Sequence, residues 1–477
     1  SLIMYLARCV LGSDEMALLV WKMAPTRFVA FAALGSRPTD INNGKVMAEP
    51  LPATTFMSPA KNPPMANAIK FHQSCMRSKL AYICSLKRRR VLQNNDYRLI
   101  VKTLYGLEDI LAKELLSLGG REIKTLNRAV SVVGDIGFVY KINIALRTGL
   151  RVLVPMLEFE MRDVEHYYTE IFEHPWEEYF GLDKSFAIDV VGTNDLLNHS
   201  SFAGLKAKDA VVDRFRVAKD ERPSVERGTP DVPIHIHIYK RTVRVYLDAS
   251  GDSLHKRGYR LKAGYAPLNE VLAAGIILHS KWNGGMPVLD PMCGSGTFLV
   301  EAALIAHQLP PNIYREKFAF HHWNGFDEQM YEKIREGLLS RAKEYEGKIM
   351  GRDMDAYALE AAAENIERAM FDDAIRIRQA DFFEAEPPAD KGLLLINPPY
   401  NVRIQAQTHK MYREMGDTLK AKYAGWEVYW ITSDMEAIKS IGLRPSRKWN
   451  LFNGELECKL LRFDMYEGTK KIHKLKS

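Results

Sequence analysis

The spacing of apolar residues divides the chain into stretches of different character. Residues 1 to 94 sustain neither a helical nor a strand period. Prolines recur there (Pro50, Pro52, Pro59, Pro63, Pro64), and the stretch ends in the charge run Lys87-Arg88-Arg89-Arg90. A segment of this kind buries too little apolar surface to offset the entropy of folding, so a disordered or non-native N-terminal extension is expected. A basic RNA-binding arm or a targeting peptide is the functional alternative. Regular patterning starts at Tyr97. Tyr97 to Thr103 reads as a strand, and Leu107, Ile110, Leu111, Leu115 and Leu118 fall on one helical face behind it. Ala129 to Val133 and Phe138 onward supply another strand and helix, which makes a small α+β unit. A second α+β unit follows: strand Phe186 to Val191, helix Phe202 to Phe215, and a hairpin of Ile234 to Ile238 with Val243 to Leu247.

From Leu261 strands and helices alternate. Helices are predicted over Leu268 to Trp282, Thr297 to His307 and Ala356 to Met370, and strands over Met286 to Asp290, Lys348 to Asp353, Ile375 to Gln379 and Leu393 to Ile396. This alternation predicts an α/β fold with a doubly wound parallel sheet.

Composition narrows the class only a little. An apolar content of 47% with 10% aromatics over 477 residues suits a globular chain of two or three domains. A formal charge of +7 is compatible with a polyanionic partner and does not demand one. The cysteines Cys9, Cys75, Cys84, Cys293 and Cys458 lack paired spacing, which argues against a zinc site and a disulfide framework and for a reducing, cytoplasmic setting. The apolar stretch from Leu2 to Trp21 is broken by Arg8, Asp14 and Glu15, so neither a signal peptide nor a membrane anchor is expected.

The candidate chemistry sits at strand ends. Asp290 closes one apolar strand, and Asp290-Pro291-Met292-Cys293-Gly294-Ser295-Gly296-Thr297 forms a glycine turn into a helix. Nucleotide-like ligands bind at that place in open α/β sheets, and Gly294 and Gly296 permit close backbone approach. Asp353 ends the next strand and offers a carboxylate to ribose hydroxyls. It lies 63 residues after Asp290, far beyond the ~20 of the dinucleotide fingerprint, and an inserted helical stretch from Pro310 to Tyr345 would account for the excess. Asp381 is placed to accept from an adenine amino group, and Phe382 either lies along that ring or packs in the core.

Asn397-Pro398-Pro399-Tyr400 follows the apolar run Gly392 to Ile396. An exocyclic amine on a nucleobase is a poor nucleophile because its lone pair is delocalised into the ring. The Asn397 side-chain oxygen and the Pro398 carbonyl could accept both of its hydrogens and expose the lone pair to an incoming methyl group, while Tyr400 stacks on an extruded base. No metal is required. A thiol mechanism through Cys293 is rejected, since neither a second cysteine nor a histidine is placed to activate it.

Basic residues cluster around the helix of the second α+β unit, with His199 before it, Lys206, Lys208, Arg214 and Arg216 on it, and Lys219 and Arg222 beyond. Phosphate contact and a solvated helix face both fit this cluster, because Asp209 and Asp213 share the segment. His235 and His237 share one strand face and, without a third ligand, are expected to be surface histidines.

Taken in order, these motifs resemble those of the THUMP-domain RNA methyltransferases, in particular the bacterial 23S ribosomal RNA guanine-N2 methyltransferases similar to the N-terminal half of RlmL. The carriers are Asn198 to Ala203 with Lys206 to Ala210, Arg222 to Val225, His255-Lys256-Arg257-Gly258-Tyr259-Arg260, Ala266 to Glu270, the Asp290 to Thr297 turn, Asn397 to Tyr400, and Phe452 to Cys458.

The resemblance implies a ferredoxin-like segment over 97–155 and a THUMP RNA-binding domain over 156–250. A Rossmann-like S-adenosylmethionine-dependent methyltransferase domain over 261–466 and a basic tail over 467–477 would follow. It also turns the Lys206 to Arg222 cluster toward contact with structured RNA, 23S ribosomal RNA or a large-subunit precursor. Alternatives are a tRNA guanine-N2 methyltransferase, a DNA adenine-N6 methyltransferase and a non-catalytic RNA-binding assembly factor. The chain departs from the pattern at Asn401-Val402-Arg403-Ile404, where relatives often carry a glycine and an acid. The second methyltransferase of the fused enzymes, with its 7-methylguanine activity, is expected to be absent.

Overall fold

The computed structural model describes residues 96–260, 268–399 and 405–466. The expected N-terminal extension, the basic tail over 467–477, Tyr400 and the departure after it lie outside these residues.

The first part is built from β1 (Tyr97–Lys102), α1 (Glu108–Ser117), β2 (Arg121–Leu126), β3 (Ala129–Gly134), α2 (Ile136–Ala145) and β4 (Arg151–Glu160). It continues through α3 (Val164–Glu173), β5 (Ser185–Val191), α4 (Ser200–Lys219), β6 (Ser224–Val225), β7 (Val232–Tyr239) and β8 (Thr242–Asp248). Helix starts follow local chemistry: Asp135 accepts from the Phe138 amide to cap α2, and Asp163 accepts from His166 to cap α3. The strands form one sheet in the order β2-β3-β1-β4-β8-β7-β5-β6, not two separate sheets for two α+β units. β4 makes the join. Its first residues pair with β1, Leu153 opposite Ile100, while Leu153 to Glu160 run along β8. Pro155 sits in this central strand because the register shifts between Pro155 and Leu157, and an irregularity tolerates the missing amide donor.

The second part comprises α5 (Glu270–Ser280), β9 (Val288–Asp290), α6 (Thr297–Ala306), α7 (Glu328–Leu339), β10 (Ile349–Asp353), α8 (Ala356–Arg368) and β11 (Ile375–Gln379). After these come β12 (Leu393–Ile396), α9 (Gln405–Lys422), β13 (Glu427–Thr432), β14 (Arg447–Asn453) and β15 (Leu456–Asp464). Their sheet runs β11-β10-β9-β12-β13-β15-β14. The strands from β9 to β13 are parallel, and the final hairpin adds antiparallel β15 and β14. Strands covered on both faces read as continuous apolar runs, and all of Leu393 to Ile396 is buried.

The stretch between α6 and β10 contains α7 and a short 3-10 turn, and it docks on the first part of the molecule. Phe320, Phe326 and Tyr331 surround Tyr140 of α2 with ring centroids 4.7, 5.6 and 6.2 Å away. The Asn312 side chain donates to the Asn143 carbonyl at 2.8 Å, and the Phe320 amide to Ala249 at 3.2 Å.

Candidate active site

Strand order reverses at β9, which has β10 on one side and β12 on the other. A crevice opens at the carboxyl ends of strands at such a switch point. Asp290, Asp353 and Asn397 come from these three strand ends, and Asp290 is paired in register with Gly351 of β10.

The turn after β9 is fixed from several sides. The Cys293 amide donates to the Arg352 carbonyl at 2.9 Å and the Gly296 amide to the Cys293 carbonyl at 2.8 Å. Asn365 of α8 donates to the Ser295 carbonyl at 3.0 Å. Gly294 and Gly296 both take positive φ, +51° and +81°, the region where glycine carries no steric penalty. They differ in surroundings. A Cβ on Gly296 would stand 3.3 Å from the Ala362 Cβ, whereas one on Gly294 would meet nothing within 4 Å. The first glycine therefore lines open space and the second packs the start of α6 onto α8.

The Gly294 amide donates to Asp353 Oδ2 at 2.9 Å, and Asp353 Oδ1 accepts from the Asp355 amide at 3.0 Å. Asp355 in turn caps α8 through the Tyr357 amide. Asp290 is 2% exposed and accepts from the Met292 amide at 3.2 Å. Burial pushes its carboxyl well above the usual range, and the Asp353 charge adds to the effect. Among the described residues neither acid has an ion-pair partner. A ligand that brings positive charge and hydroxyl donors would relieve this arrangement. The sulfonium, ammonium and ribose hydroxyls of S-adenosylmethionine supply both, so these acceptors fit that group.

Asp381 is half-buried and accepts from the Phe383 amide at 2.8 Å. Phe382 is 3% exposed and stacks on Tyr423 with centroids 5.7 Å apart, which is core packing, the second of the two places expected for it. Close to Asp353 in the chain, Met354 and Tyr357 are 71% and 83% exposed. Only their closeness to Asp353, one and four residues on, marks either in the sequence. Asn397 is half-buried and Pro398 buried. Cys293 is buried, and burial with the neighbouring Asp290 and Asp353 charges pushes its thiol well up, which removes the thiolate a nucleophile would need.

The basic cluster divides on inspection. His199 and Arg222 are exposed, and Lys208 pairs with its neighbour Asp209 at 2.5 Å. Lys206 pairs with Glu165 at 3.1 Å and lies over the Tyr168 ring. Arg214 does not belong to an RNA face. It is 2% exposed, its Nε donates to Glu177 at 2.9 Å and its Nη2 to the other oxygen of the same carboxylate. A cavity of about 800 Å³ beside α4 is lined by Lys208 together with Ser200, Ser201, Arg227 and Lys317. Lys317 lies more than a hundred residues downstream, so local spacing could not have found it. His235 is no surface residue either: it is 8% exposed and bridges Asp189 at 3.1 Å and Asp248 at 3.2 Å. Among the described residues no group of His, Cys, Asp or Glu is arranged to hold a metal ion, and no helix is long and apolar enough to cross a membrane.

Comparison with known proteins matches this architecture part by part. Residues 98–153 match the RlmL ferredoxin-like domain, 161–248 the THUMP domain, and 257–462 the RMKL-like methyltransferase domain. The chain is 35% identical over 364 residues to slr0064 of Synechocystis sp., a protein classed as an RNA methyltransferase, covering 76% of this chain and 95% of that one. It is 36% identical over 371 residues to the ribosomal RNA large subunit methyltransferase K/L of Psychromonas ingrahamii, covering 76% of this chain and 49% of that protein. The chain thus spans about half the length of the K/L relatives it matches. The solved structure of SMU.472, a methyltransferase complexed with S-adenosylhomocysteine, superposes with a TM-score of 0.70 at 29% identity, covering 79% of this chain and all of that one. With 35% identity over 95% of slr0064, and THUMP and methyltransferase domains in order along a chain that carries the glycine turn and the Asn397-Pro398 strand end, this chain belongs to the family of THUMP-domain RNA methyltransferases.

Proposed function

We propose that the chain transfers a methyl group from S-adenosylmethionine to the exocyclic N2 of a guanine in 23S ribosomal RNA. The observation that carries the reading is the placement of Asn397-Pro398 at the end of β12, beside the switch point at β9. Asp290, Asp353 and the Gly294 to Gly296 turn hold the cofactor, with Asp381 at the adenine and Met354 against its ring. When bound, the cofactor supplies a methyl group already activated on a sulfonium, so this chain's residues need only bind, orient and exclude water.

Asn397 and the Pro398 carbonyl accept the two amine hydrogens and direct the nitrogen lone pair outward, and Tyr400 stacks on the base. Accepting both hydrogens also favours the tetrahedral nitrogen over the planar, conjugated one. The THUMP domain supports an RNA substrate, with His199, Lys206, Lys208 and Arg222 as its phosphate contacts. The K/L relatives' names support ribosomal RNA and a large-subunit target. Methyl transfer onto separated 23S ribosomal RNA and tRNA tests the assignment: incorporation into 23S ribosomal RNA is expected, and incorporation into tRNA alone would overturn it.

A further inference from the structure

Between β8 and α5 the chain passes through His255-Lys256-Arg257-Gly258-Tyr259-Arg260, and the two arginines of this segment hold different partners. Arg257 is 1% exposed. Its Nη2 donates to the Arg147 carbonyl at 2.5 Å and its Nη1 to the Leu146 carbonyl at 3.3 Å, both just after α2 in the ferredoxin-like segment. Nη1 also donates to Leu254 at 2.9 Å and to Asn312 Oδ1 at 3.1 Å. Nε meets Glu301 Oε1 of α6 at 3.4 Å, and the Tyr259 hydroxyl donates to that same oxygen at 3.1 Å.

Glu301 lies one helical turn beyond Thr297, the residue that opens α6 directly after the cofactor turn. Arg260 reaches the preceding turn, donating to Thr297 Oγ1 at 2.9 Å while paired with Glu270 at 2.8 Å. One short loop thus grips two successive turns of α6, and Arg257 ties that helix to the carbonyls of the N-terminal part. Gly258 lets the loop press on the segment before α7: its φ is +101°, and a Cβ would stand 3.0 Å from the Tyr314 carbonyl.

A buried ion pair is a poor way to add stability, because well-packed apolar residues of similar volume do as well or better. A guanidinium instead supplies several donors at fixed angles, which suits a joint whose geometry matters. We propose that Arg257 is a positioning residue that sets α6, and the cofactor turn at its head, in register with the RNA-binding part, so that the presented base meets the methyl donor. This rests on the RNA methyltransferase reading above.

The test uses the full chain carrying Arg257→Lys, with Asn312→Ala as a gentler variant of the same joint. Three quantities are measured: the Kd for S-adenosylhomocysteine, the Kd for transcribed 23S ribosomal RNA, and the single-turnover methylation rate at saturation, normalised to sites that bind S-adenosylhomocysteine. Misalignment by about 1 Å costs roughly a hundredfold in rate. The expected result for Arg257→Lys is therefore a rate about ten- to a hundredfold lower, with both Kd values within about twofold of wild type. Asn312→Ala falls in the same direction by less and carries the test if Arg257→Lys does not fold. An unchanged normalised rate would overturn the proposal, as would a rate loss matched by an equal loss in either Kd. A wild-type protein that methylates no RNA would overturn the functional reading itself, before any substitution is made.

Discussion

The Gly294 amide donates to Asp353 Oδ2 at 2.9 Å, so the acid that ends β10 braces the turn that follows β9. In the proposed site one carboxylate then has two tasks, bracing the loop and holding the cofactor ribose. Asp353→Ala removes both. Loss of hydrogen bonds to a charged group costs about 1.5–3 kcal/mol, so affinity for S-adenosylhomocysteine should fall roughly ten- to a hundredfold. Isothermal titration calorimetry measures this, and an unchanged Kd would remove Asp353 from the site.

Arg214 and Lys208 stand on the same helix and should behave oppositely on substitution. Arg214 is enclosed with Glu177, and removing one partner of a buried pair costs about 3–5 kcal/mol. Arg214→Ala should lower the melting temperature sharply and affect RNA binding only through folding. Lys208→Ala should leave stability nearly unchanged and weaken RNA binding, with the slope of log Kd against log salt reduced by about 1. A stable Arg214→Ala protein with lost RNA affinity would reverse the assignment.

His235 gives the fold a pH dependence of definite sign. Burial alone would lower its pKa, but the Asp189 and Asp248 carboxylates, which accept from the protonated ring, outweigh that and the net shift is upward from 6.5. A raised folded-state value means that the stabilisation is fully present below the unfolded pKa and fades as pH climbs through the folded one. Asp248 shifts the other way: burial would raise it, but His235 and Arg151 hold it below 3.8, so its contribution fades only on acidification through that lower value. The stability gap between wild type and His235→Gln should therefore be widest below about pH 6.5 and narrow as pH rises above it. Urea unfolding at a series of pH values checks this; a gap that widens with pH would contradict it.

The parallel sheet was legible because its strands are short apolar runs that end in Asp290, Asp353 and Asn397. The Ile375–Gln379 and Leu393–Ile396 strands lie where periodicity alone puts them. β4 was hidden by Pro155 in its middle and by Glu158 and Glu160 at its solvent end, so the single sheet shared by both N-terminal units could not be read. Side-chain fates were harder still. Alternation places His235 on a strand face but does not show that Asp189 lies directly opposite it in the register. Arg214 looks like its basic neighbours until the fold brings Glu177 against it. Phe382 follows Asp381, a candidate site acid, and yet packs on Tyr423 in the core.

The central claim is that Asn397 and Pro398 hold an exocyclic guanine amine for methylation. The most direct measurement is incubation of the purified protein with 23S ribosomal RNA and methyl-labelled S-adenosylmethionine, followed by nucleoside digestion and mass spectrometry. The label should appear in N2-methylguanosine. Asn397→Ala should lower its rate at least about a hundredfold, as loss of one transition-state donor or acceptor does elsewhere, while S-adenosylhomocysteine still binds. Label on a ring nitrogen or on another base, or full activity of Asn397→Ala, would contradict the account.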